Sequence, residues 1–455
     1  MSIQSINPLT NKVLKEFEAH TDAQIEEILQ TADSTYRKWR KFSFEERSKL
    51  MHKAANVLRS NKNKYAQIMT DEMGKTKKEA VAEVDKCALC CDYYANNAAR
   101  FLADEPLEID QGEAYIAYDP IGTVLAIMPW NFPYWQVIRF AVPTLMAGNV
   151  GILKHASNVP QCALALEEVF REAGFPQGCF QSLLIPSKKV DNLLADKRIK
   201  AATLTGSEGA GSKVAAKAGK ELKKTVLELG GSDPFIVLAD ADIDKAASTA
   251  AKARMLNCGQ SCIAAKRFIV VQEVYEQFIK KFKQQMSSLK QGDPNADGVD
   301  YGPMAREDLA EELLEQTQKS IDKGAEVLLG GDRPDKEGAF FNATILANVK
   351  PGMPAYEEEL FGPVASVFKV KDEEEAILIA NDSPYGLGGC VWTQDIEKGK
   401  NFVRQVESGA VYINKMTASH PALPFGGVKM SGYGRELSHL GIREFVNQKT
   451  VWMEK

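Results

Sequence analysis

The stretch TVLELGGSDPFIVL at residues 225–238 divides the chain into two parts. Its apolar runs TVLEL and PFIVL are typical of strands, and two glycines and a proline interrupt the pattern between them. Before it, short apolar runs alternate with helical stretches, at 121–127, 149–153, 180–185, 200–205 and 225–229. After it, the alternation continues, at 234–238, 267–271, 326–331, 364–370 and 410–415. Strand–helix–strand alternation predicts an α/β fold with two doubly wound parallel domains.

Two further segments fit neither series of strands. LEIDQGEAYIAYDP at 107–120 and EFVNQKTVWME at 444–454 have the pattern of strands, whereas residues 20–100 have a helical pattern. Strands without a partner in their own sheet commonly pair across a subunit boundary. We therefore predict that these two strands pair with another subunit.

Composition and charge limit the classes of partner. The 455 residues carry 56 Lys and Arg against 61 Asp and Glu, so no sequence-wide positive field attracts nucleic acid or an anionic membrane. The opening residues lack an apolar signal region, and no stretch approaches the roughly 18 apolar residues of a membrane helix. The cysteines are too sparse for a disulfide framework and the histidines have no zinc spacing, so we expect no metal. The sequence predicts a cytoplasmic protein with a small-molecule substrate.

The strongest chemical signal is LNCGQSCIAAKR at residues 256–267. Polar residues and a glycine interrupt a helix there and place Cys262 just before an apolar strand. A free thiol has a pKa of about 8.5, so a catalytic cysteine needs a nearby base or positive charge. Most lone cysteines are packing residues, and Cys258 is a rival in the same loop. A disulfide between the two under oxidation is a further hypothesis.

Two polar side chains lie next to predicted strands. Glu228 ends a strand before two glycines that allow close backbone approach, and a desolvated carboxylate there could act as a general base. The alternative is a solvated strand end or an ion-pair partner. Asn131 lies in the aromatic loop PWNFP, where a rigid amide could stabilise an oxyanion. It could equally cap the helix whose first turn contains Pro133.

A glycine-containing loop follows another predicted strand. LTGSEGAG at 204–211 places Gly206 and Gly211 between a strand and a helix whose N-terminus could receive a pyrophosphate. The GxGxxG dinucleotide fingerprint is absent, so the signal is weak by itself. The lysines that follow are typical of a solvated helix face, at 213, 217, 220, 223 and 224.

In order and approximate spacing, these segments resemble the aldehyde dehydrogenase superfamily over essentially the whole chain. The motifs that carry the resemblance are PWNFP, LTGSEGAG in place of TGSxxxG, LELGG, GQSC, EEELFGP, NDSPYGLG and PFGGVKMSGYGRE. The resemblance implies an atypical Rossmann NAD(P)-binding domain, a catalytic domain and a small β oligomerisation domain, with a homodimer or homotetramer as the assembly. The implied boundaries are 1–106 and 121–227 with part of 426–440 for the first, 228–425 for the second, and 107–120 with 441–455 for the third.

The resemblance also implies roles for single residues. Cys262 matches the nucleophile, Glu228 the general base and Asn131 the oxyanion donor. The positions that match cofactor contacts are Lys154 at a ribose, Glu359 at the nicotinamide ribose, Phe361 beside the nicotinamide, and Trp130, Gly206, Ser207 and Gly211 in the cleft. The implied reaction is thiolate attack on an aldehyde, hydride transfer to NAD(P), and hydrolysis of the thioester by water that Glu228 activates. A base at this position favours release of a free acid over acyl-CoA.

One departure from the family bears on the cofactor. Where the family often has KPSE, this chain has KHAS at 154–157. The family's glutamate would bind the ribose 2′-hydroxyl and repel a 2′-phosphate, so Ser157 removes a repulsion. With Lys188 and Lys189 in a loop after a neighbouring strand, the sequence predicts that NADP is tolerated or preferred over NAD.

The resemblance extends to a substrate site. Arg139 matches the arginine that holds the distal carboxylate in succinate semialdehyde dehydrogenases, and arginine binds carboxylate bidentately. Ser419 matches an assisting serine, and Trp135 is predicted in the same site. A second arginine of some members is replaced by Leu256, and an interhelical ion pair is the alternative for Arg139. The predicted reaction is succinate semialdehyde to succinate; the alternatives are a broad-specificity small-aldehyde dehydrogenase and a catalytically silent binding protein on the same scaffold.

Overall fold

A computed structural model describes residues 2–454. Two large sheets with flanking helices are joined by smaller β units. The strands are β1 Ser2–Asn7, β2 Lys12–Glu18, β3 Glu105–Leu107, β4 Glu113–Pro120, β5 Thr123–Met128, β6 Val150–His155, β7 Phe180–Ser182, β8 Ile199–Thr205, β9 Lys224–Glu228, β10 Pro234–Val237, β11 Arg267–Val271, β12 Glu326–Leu329, β13 Thr344–Ala347, β14 Val364–Val370, β15 Tyr385–Gly386, β16 Gly388–Trp392, β17 Ala410–Ile413, β18 Val428–Lys429, β19 Gly432–Tyr433 and β20 Val446–Met453. The helices are α1 Asp22–Trp39, α2 Phe44–Ser60, α3 Lys62–Met73, α4 Lys77–Phe101, α5 Trp135–Met146, α6 Pro160–Glu172, α7 Val190–Ala195, α8 Glu208–Lys220, α9 Ile243–Met255, α10 Gln272–Ser287, α11 Glu307–Asp322, α12 Pro354–Glu357, α13 Glu373–Asn381, α14 Ile396–Val403 and α15 Ser438–Ile442.

The first large sheet has the strand order β19-β9-β8-β5-β6-β7. Its strands run parallel except β19, which pairs antiparallel with β9. Strands β5, β6 and β8 are almost entirely buried, as expected where helices cover both faces of a parallel sheet. All five strands predicted before residue 230 are confirmed. The carboxyl ends of β8 and β9 meet where Thr205 pairs with Glu228.

The second large sheet has the order β12-β13-β14-β11-β10-β16-β17. It is parallel except for β12, which is antiparallel to β13. The five strands predicted after residue 233 are confirmed, but β13 and β16 were missed. Strand β13 has only four residues, and β16 begins with two glycines, which weaken the pattern of a strand.

The two segments that fitted neither series pair with each other. Strand β4 pairs along its whole length with β20, and β3 adds a third strand to this small sheet. Its face exposes apolar side chains, among them Trp452, which is 69% exposed. Pairing with a second subunit and the domain boundaries stay predictions.

The N-terminal region begins with an unpredicted hairpin, β1 with β2, followed by α1 to α4. The helical pattern predicted for residues 20–100 is confirmed. Capping boxes fix the starts of the first two helices, with Thr21 and Gln24 at α1 and Ser43 and Glu46 at α2. Helix α4 is long enough to pack on α2, α3 and α5, so one of its faces reaches the inner part of the molecule.

The buried side chains form two hydrophobic cores. Leu229 belongs to the first core and Phe235 to the second, so the change falls within the stretch that divides the sequence. The partly buried Cys262 packs against the first core, whereas Cys258 belongs to the second. The loop that holds both cysteines therefore lies at the junction of the two halves. Within residues 2–454, no helix has the length and apolar character needed to cross a membrane.

Candidate active site

Cys262 follows a left-handed turn. Helix α9 ends at Met255, and a 3-10 turn at Leu256–Gly259 leads to the cysteine. Cys258 in this turn has a φ of 55° and Gly259 a φ of 74°, in the region that residues other than glycine disfavour. A Cβ at Gly259 would lie 2.2 Å from the carbonyl oxygen of Gly362. The turn therefore depends on glycine, and it directs the chain out of the second core toward the first.

Two cavities meet at Cys262. We call the larger one the Trp130 cavity; it has a volume of about 730 Å³, and its wall includes Trp130, Asn131, Gly206, Ser207, Glu359 and Phe361. We call the other the Trp135 cavity; it has a volume of about 500 Å³, and its wall includes Lys86, Trp135, Arg139, Leu256, Ser419 and Phe425. Cys262 and Gln136 line both cavities. A single sulfur can therefore be approached from two directions.

The Cys262 loop is held by a buried lysine. The Lys266 ammonium donates hydrogen bonds of 2.8 Å to the carbonyl oxygens of Ser261 and Cys262. The same ammonium forms an ion pair of 3.0 Å with Glu359, which also accepts a bond from the Gly231 N–H. This arrangement links the wall of the Trp130 cavity to the backbone of Cys262.

The surroundings of the Cys262 thiol disfavour its ionisation. Burial raises its pKa to about 12, although the cations of Arg139 and Lys266 oppose the shift. A neutral thiol is a weak nucleophile, so the reaction requires a group that removes its proton. Cys258 is fully buried with a pKa that burial also raises, and both thiols are free. The predicted disulfide between them stays a prediction.

Asn131 is fixed by its neighbours. Its Oδ1 accepts a 2.9 Å bond from the Gln136 side chain, which orients the amide. Its Nδ2 donates at 3.1 Å to the carbonyl oxygen of Gln260, in the loop that precedes Cys262. Asn257 donates to the backbone oxygens of both Asn131 and Gln260. Since an amide nitrogen carries two hydrogens, one donor of Asn131 remains for a ligand.

Glu228 is a buried carboxylate at the end of β9. Neither of its oxygens has a hydrogen-bond partner within residues 2–454. Burial and the neighbouring Glu436 raise its pKa above the usual 4.5, against the opposing charges of Arg139 and Arg435. A Cβ at Gly426 would lie 2.8 Å from one carboxylate oxygen, so the glycine there leaves space around this side chain. Unpartnered and with a raised pKa, the carboxylate has the properties of a general base.

The walls of the Trp130 cavity suit a dinucleotide. The rings of Trp130 and Phe361 lie edge to face at 5.8 Å between centroids, and both contribute apolar surface to the cavity. Ser207 caps the N-terminus of α8, where free N–H groups can bind a phosphate. Gly211 packs on Leu229, and a Cβ there would lie 2.6 Å from the leucine side chain. Glu359 adds an acceptor for ribose hydroxyls.

Three predicted cofactor residues, Lys154, Ser157 and Gly211, lie outside the wall of this cavity. Lys154, near the end of β6, is buried, and its ammonium has no hydrogen bond or ion pair in the described part of the chain. Burial lowers its pKa. An unpartnered buried cation fits a ligand that carries hydroxyl or phosphate oxygens. Ser157 lies in an exposed turn just after it, whereas Lys189 forms an ion pair of 2.8 Å with Asp22.

The predicted substrate residues line the Trp135 cavity. Ser419 accepts a 3.0 Å bond from the indole N–H of Trp135. Arg139 reaches the cavity from α5, but its guanidinium is ion-paired with Glu436 and lies 4.6 Å from the centroid of the Phe425 ring. The alternative weighed for Arg139 was an interhelical ion pair. An ion pair is present, but its partner Glu436 lies in a β-bridge and not in a helix, and Arg139 also lines the cavity.

Comparison with known proteins shows the family of this chain. The profile described as "Aldehyde dehydrogenase family" matches residues 1–451. The chain belongs to the aldehyde dehydrogenase family. It is 51% identical to a probable succinate-semialdehyde dehydrogenase [NADP(+)] of Synechocystis, with 100% of both chains covered, and 50% identical to a succinate-semialdehyde dehydrogenase [NADP(+)] of Mycobacterium avium, with 100% of this chain and 97% of the relative covered. A crystal structure of succinic semialdehyde dehydrogenase from Streptococcus pyogenes in complex with NADP⁺ superposes with a TM-score of 0.98 at 43% identity, covering 100% of each chain.

Several site residues of this aldehyde dehydrogenase were not found from its sequence. Gln136 orients Asn131, Lys266 holds the Cys262 backbone, and Glu436 pairs with Arg139. Gln136 lies one turn beyond the PWNFP motif, and Glu436 lies within the PFGGVKMSGYGRE segment. Both could therefore have been singled out from the sequence. Lys86 carries no local signal, because it is one of many lysines on helical segments of this chain.

Proposed function

We propose that this aldehyde dehydrogenase oxidises succinate semialdehyde to succinate with NADP as the hydride acceptor. The observation that carries the proposal is the position of Cys262, whose thiol lies where the Trp130 and Trp135 cavities meet. An aldehyde and a nicotinamide ring can then approach one sulfur from two sides. The substrate and cofactor named for the relatives at 50–51% identity support the choice.

The first step joins the aldehyde to the enzyme. The Cys262 thiol releases its proton to a water molecule, the sulfur attacks the carbonyl carbon, and the electron pair of the C=O bond moves to the oxygen. The second amide hydrogen of Asn131 and the backbone N–H of Cys262 donate to this oxyanion. Gln136 keeps the Asn131 amide in the orientation that makes the donation possible.

The Trp130 cavity holds the cofactor in this proposal. A bound nicotinamide dinucleotide supplies the acceptor for the hydride that leaves the thiohemiacetal carbon. Glu359 and Lys154 bind ribose hydroxyls, and the N-terminus of α8 binds the pyrophosphate. Ser157 presents no negative charge to a 2′-phosphate, which favours NADP.

Glu228 completes the turnover by hydrolysis. Its carboxylate takes a proton from a water molecule, and the hydroxide attacks the thioester carbon. The C–S bond then breaks, the Cys262 thiolate leaves, and succinate is released. The desolvated environment that raises the pKa of Glu228 makes it a stronger base than an exposed carboxylate.

We also propose that the chain acts as a homodimer or homotetramer in the cytoplasm. The small sheet of β3, β4 and β20 supports the assembly, because it exposes Trp452 and other apolar side chains at its surface. Multi-angle light scattering on the purified chain distinguishes dimer, tetramer and monomer. A monomer at all concentrations would contradict the assembly.

The function is tested with a substrate panel. Purified enzyme is given succinate semialdehyde, glutarate semialdehyde, lactaldehyde and butyraldehyde, each with NADP and with NAD, and reduced cofactor is followed by absorbance. We expect the highest kcat/KM for succinate semialdehyde with NADP. Equal values for all aldehydes would favour a broad-specificity enzyme, and no reduced cofactor with any of them would contradict the proposal.

A further inference from the structure

The ionisable groups in the wall of the Trp135 cavity are few. Among the described residues they are Lys86, Arg139 and the Cys262 thiol. The rest of the wall is aromatic, aliphatic or uncharged polar. A negatively charged substrate must therefore find its counter-charge on Lys86 or Arg139.

The charge of Arg139 is already balanced. Its guanidinium forms an ion pair with Glu436 and donates at 3.3 Å to the Thr205 hydroxyl. Both Arg139 and Glu436 are buried, and a second carboxylate, Glu228, lies close enough to influence the arginine. Binding a substrate carboxylate through Arg139 alone would place a further negative charge beside Glu436, which is unfavourable in a desolvated site.

The charge of Lys86 has no such partner. Its ammonium projects from α4, donates at 2.7 Å to the Ser419 hydroxyl and lies 4.2 Å from the centroid of the Trp135 ring. No carboxylate lies within ion-pair distance of it in the part of the chain that the structure describes. Burial and the Arg139 cation lower its pKa to about 8. A bound carboxylate would relieve this unfavourable environment.

Ser419 provides a second donor beside Lys86. Its oxygen accepts from both the Trp135 indole N–H and the Lys86 ammonium. A hydroxyl that accepts twice still has its own hydrogen to donate. One ammonium and one hydroxyl can therefore bind the two oxygens of a carboxylate at the same point of the cavity wall.

We propose that Lys86, with Ser419, binds the distal carboxylate of the substrate and thereby selects short aldehydes that end in a carboxylate. This inference rests on the proposed function and adds a residue on α4 to the predicted substrate-binding residue Arg139, which lines the same cavity. The same ammonium disfavours aldehydes that end in an amine, because like charges repel in a partly desolvated cavity.

The test compares one substrate with and without its charge. Wild type, Lys86→Met, Lys86→Gln and Lys86→Arg are assayed with succinate semialdehyde and with its methyl ester, which keeps the chain but not the negative charge. We expect both neutral variants to lose about 30-fold or more in kcat/KM for the acid, mainly through KM, and much less for the ester. Lys86→Arg should recover most of the discrimination because it keeps the charge.

A control on the same helix measures the effect of removing a lysine that does not line the cavity. Lys78 is exposed on α4, its side chain makes no hydrogen bond or ion pair within residues 2–454, and it lines neither cavity. Lys78→Met should leave both kcat/KM values unchanged. Equal losses on acid and ester in the Lys86 variants would indicate a structural role and overturn the inference.

A pH series on wild type tests the inference without any substitution. The acid-to-ester ratio of kcat/KM should fall as the pH rises through the lowered pKa of Lys86, because the ammonium loses its proton. The charged or titratable groups near it are Arg139 on α5 and Glu83, Cys87 and Cys90 on α4. Titration of Cys262 or Glu228 affects both substrates and cancels in the ratio, so a constant ratio would contradict the inference.

Different results would contradict the role of Lys86 and the proposed function. If wild type prefers the acid and the neutral Lys86 variants keep that preference, the carboxylate is bound elsewhere and the proposed function stands. If wild type does not oxidise succinate semialdehyde with either cofactor, the proposed function is wrong and the role of Lys86 falls with it.

Discussion

The two cavities that meet at Cys262 are built from different parts of the chain. The wall of the Trp130 cavity comes mostly from loops after strands, such as PWNFP and TGS, and from the segment that holds Glu359. The wall of the Trp135 cavity comes mostly from the faces of α4 and α5 and from residues 416–425. Loop residues after strands form compact motifs, whereas a helix contributes one side chain per turn. The first cavity could therefore be predicted from sequence in more detail than the second.

We expect the largest effect when the Cys262 thiol, which both cavities share, is removed. Cys262→Ala should lower kcat/KM for succinate semialdehyde by about 10⁴-fold or more, because no other described side chain that lines both cavities is a nucleophile. Steady-state reduction of NADP measures the effect. Cys258→Ser is the matched control, since this thiol lies four residues earlier in the same loop and lines neither cavity. If Cys262→Ala turned over near the wild-type rate, the reaction would not take place at the Cys262 sulfur.

The proposed mechanism uses Glu228 in hydrolysis only, so its removal should affect one stage of the reaction. We expect Glu228→Gln to form NADPH in a single burst and then to turn over about 10²- to 10⁴-fold more slowly, because hydrolysis lacks its base. In wild type, kcat should fall as the pH decreases through the raised pKa of Glu228, well above the usual 4.5, since only the deprotonated carboxylate accepts a proton. Stopped-flow absorbance and a pH profile measure both effects. A normal steady-state rate in Glu228→Gln would assign the base elsewhere.

A smaller effect concerns stability: removing Arg139 and removing Lys86 should lower the free energy of unfolding by different amounts. Arg139→Met leaves Glu436 buried without its ion-pair partner, so we expect the free energy of unfolding to fall by about 3 kcal/mol. Lys86→Met leaves no carboxylate unpaired and should destabilise less. Urea denaturation followed by circular dichroism measures both. The double variant Arg139→Met/Glu436→Gln should recover much of the loss; if it does not, the ion pair is not the cause.

The smallest expected effect concerns cofactor choice. Ser157→Glu should shift the NADP-to-NAD ratio of kcat/KM toward NAD by about tenfold, because a carboxylate there repels the 2′-phosphate and binds the 2′-hydroxyl. Ser287→Glu, an exposed serine at the end of α10, controls for the added charge. An unchanged ratio in Ser157→Glu would place the 2′-phosphate elsewhere.

The predicted strands show where sequence is informative. Runs such as PFIVL and RFIVV are continuous and apolar because helices cover both faces of their sheet, and they were found. Strand β16 is equally buried, but its paired glycines removed the pattern. The hairpin of β1 and β2 was missed because β2 is mostly exposed and carries no apolar alternation that a core would impose.

The site residues divide in the same way. Cys262, Glu228 and Asn131 could be singled out because each lies in a glycine- or proline-containing loop at an element boundary. Lys86 and Lys266 could not, because the direction of a lysine depends on packing between elements far apart in the chain. Lys86, for example, meets Ser419, 333 residues away. Such contacts arise from the tertiary fold and leave no local trace in the sequence.

The proposed mechanism requires the Cys262 sulfur to carry the acyl group from hydride transfer to hydrolysis. It is tested most directly by mass spectrometry of Glu228→Gln after brief mixing with succinate semialdehyde and NADP, followed by acid quench and digestion. The account predicts a succinyl group on the peptide that contains Cys262, in an amount that matches the NADPH burst. NADPH formation with no acyl group on that peptide, or with the acyl group on another residue, would contradict it.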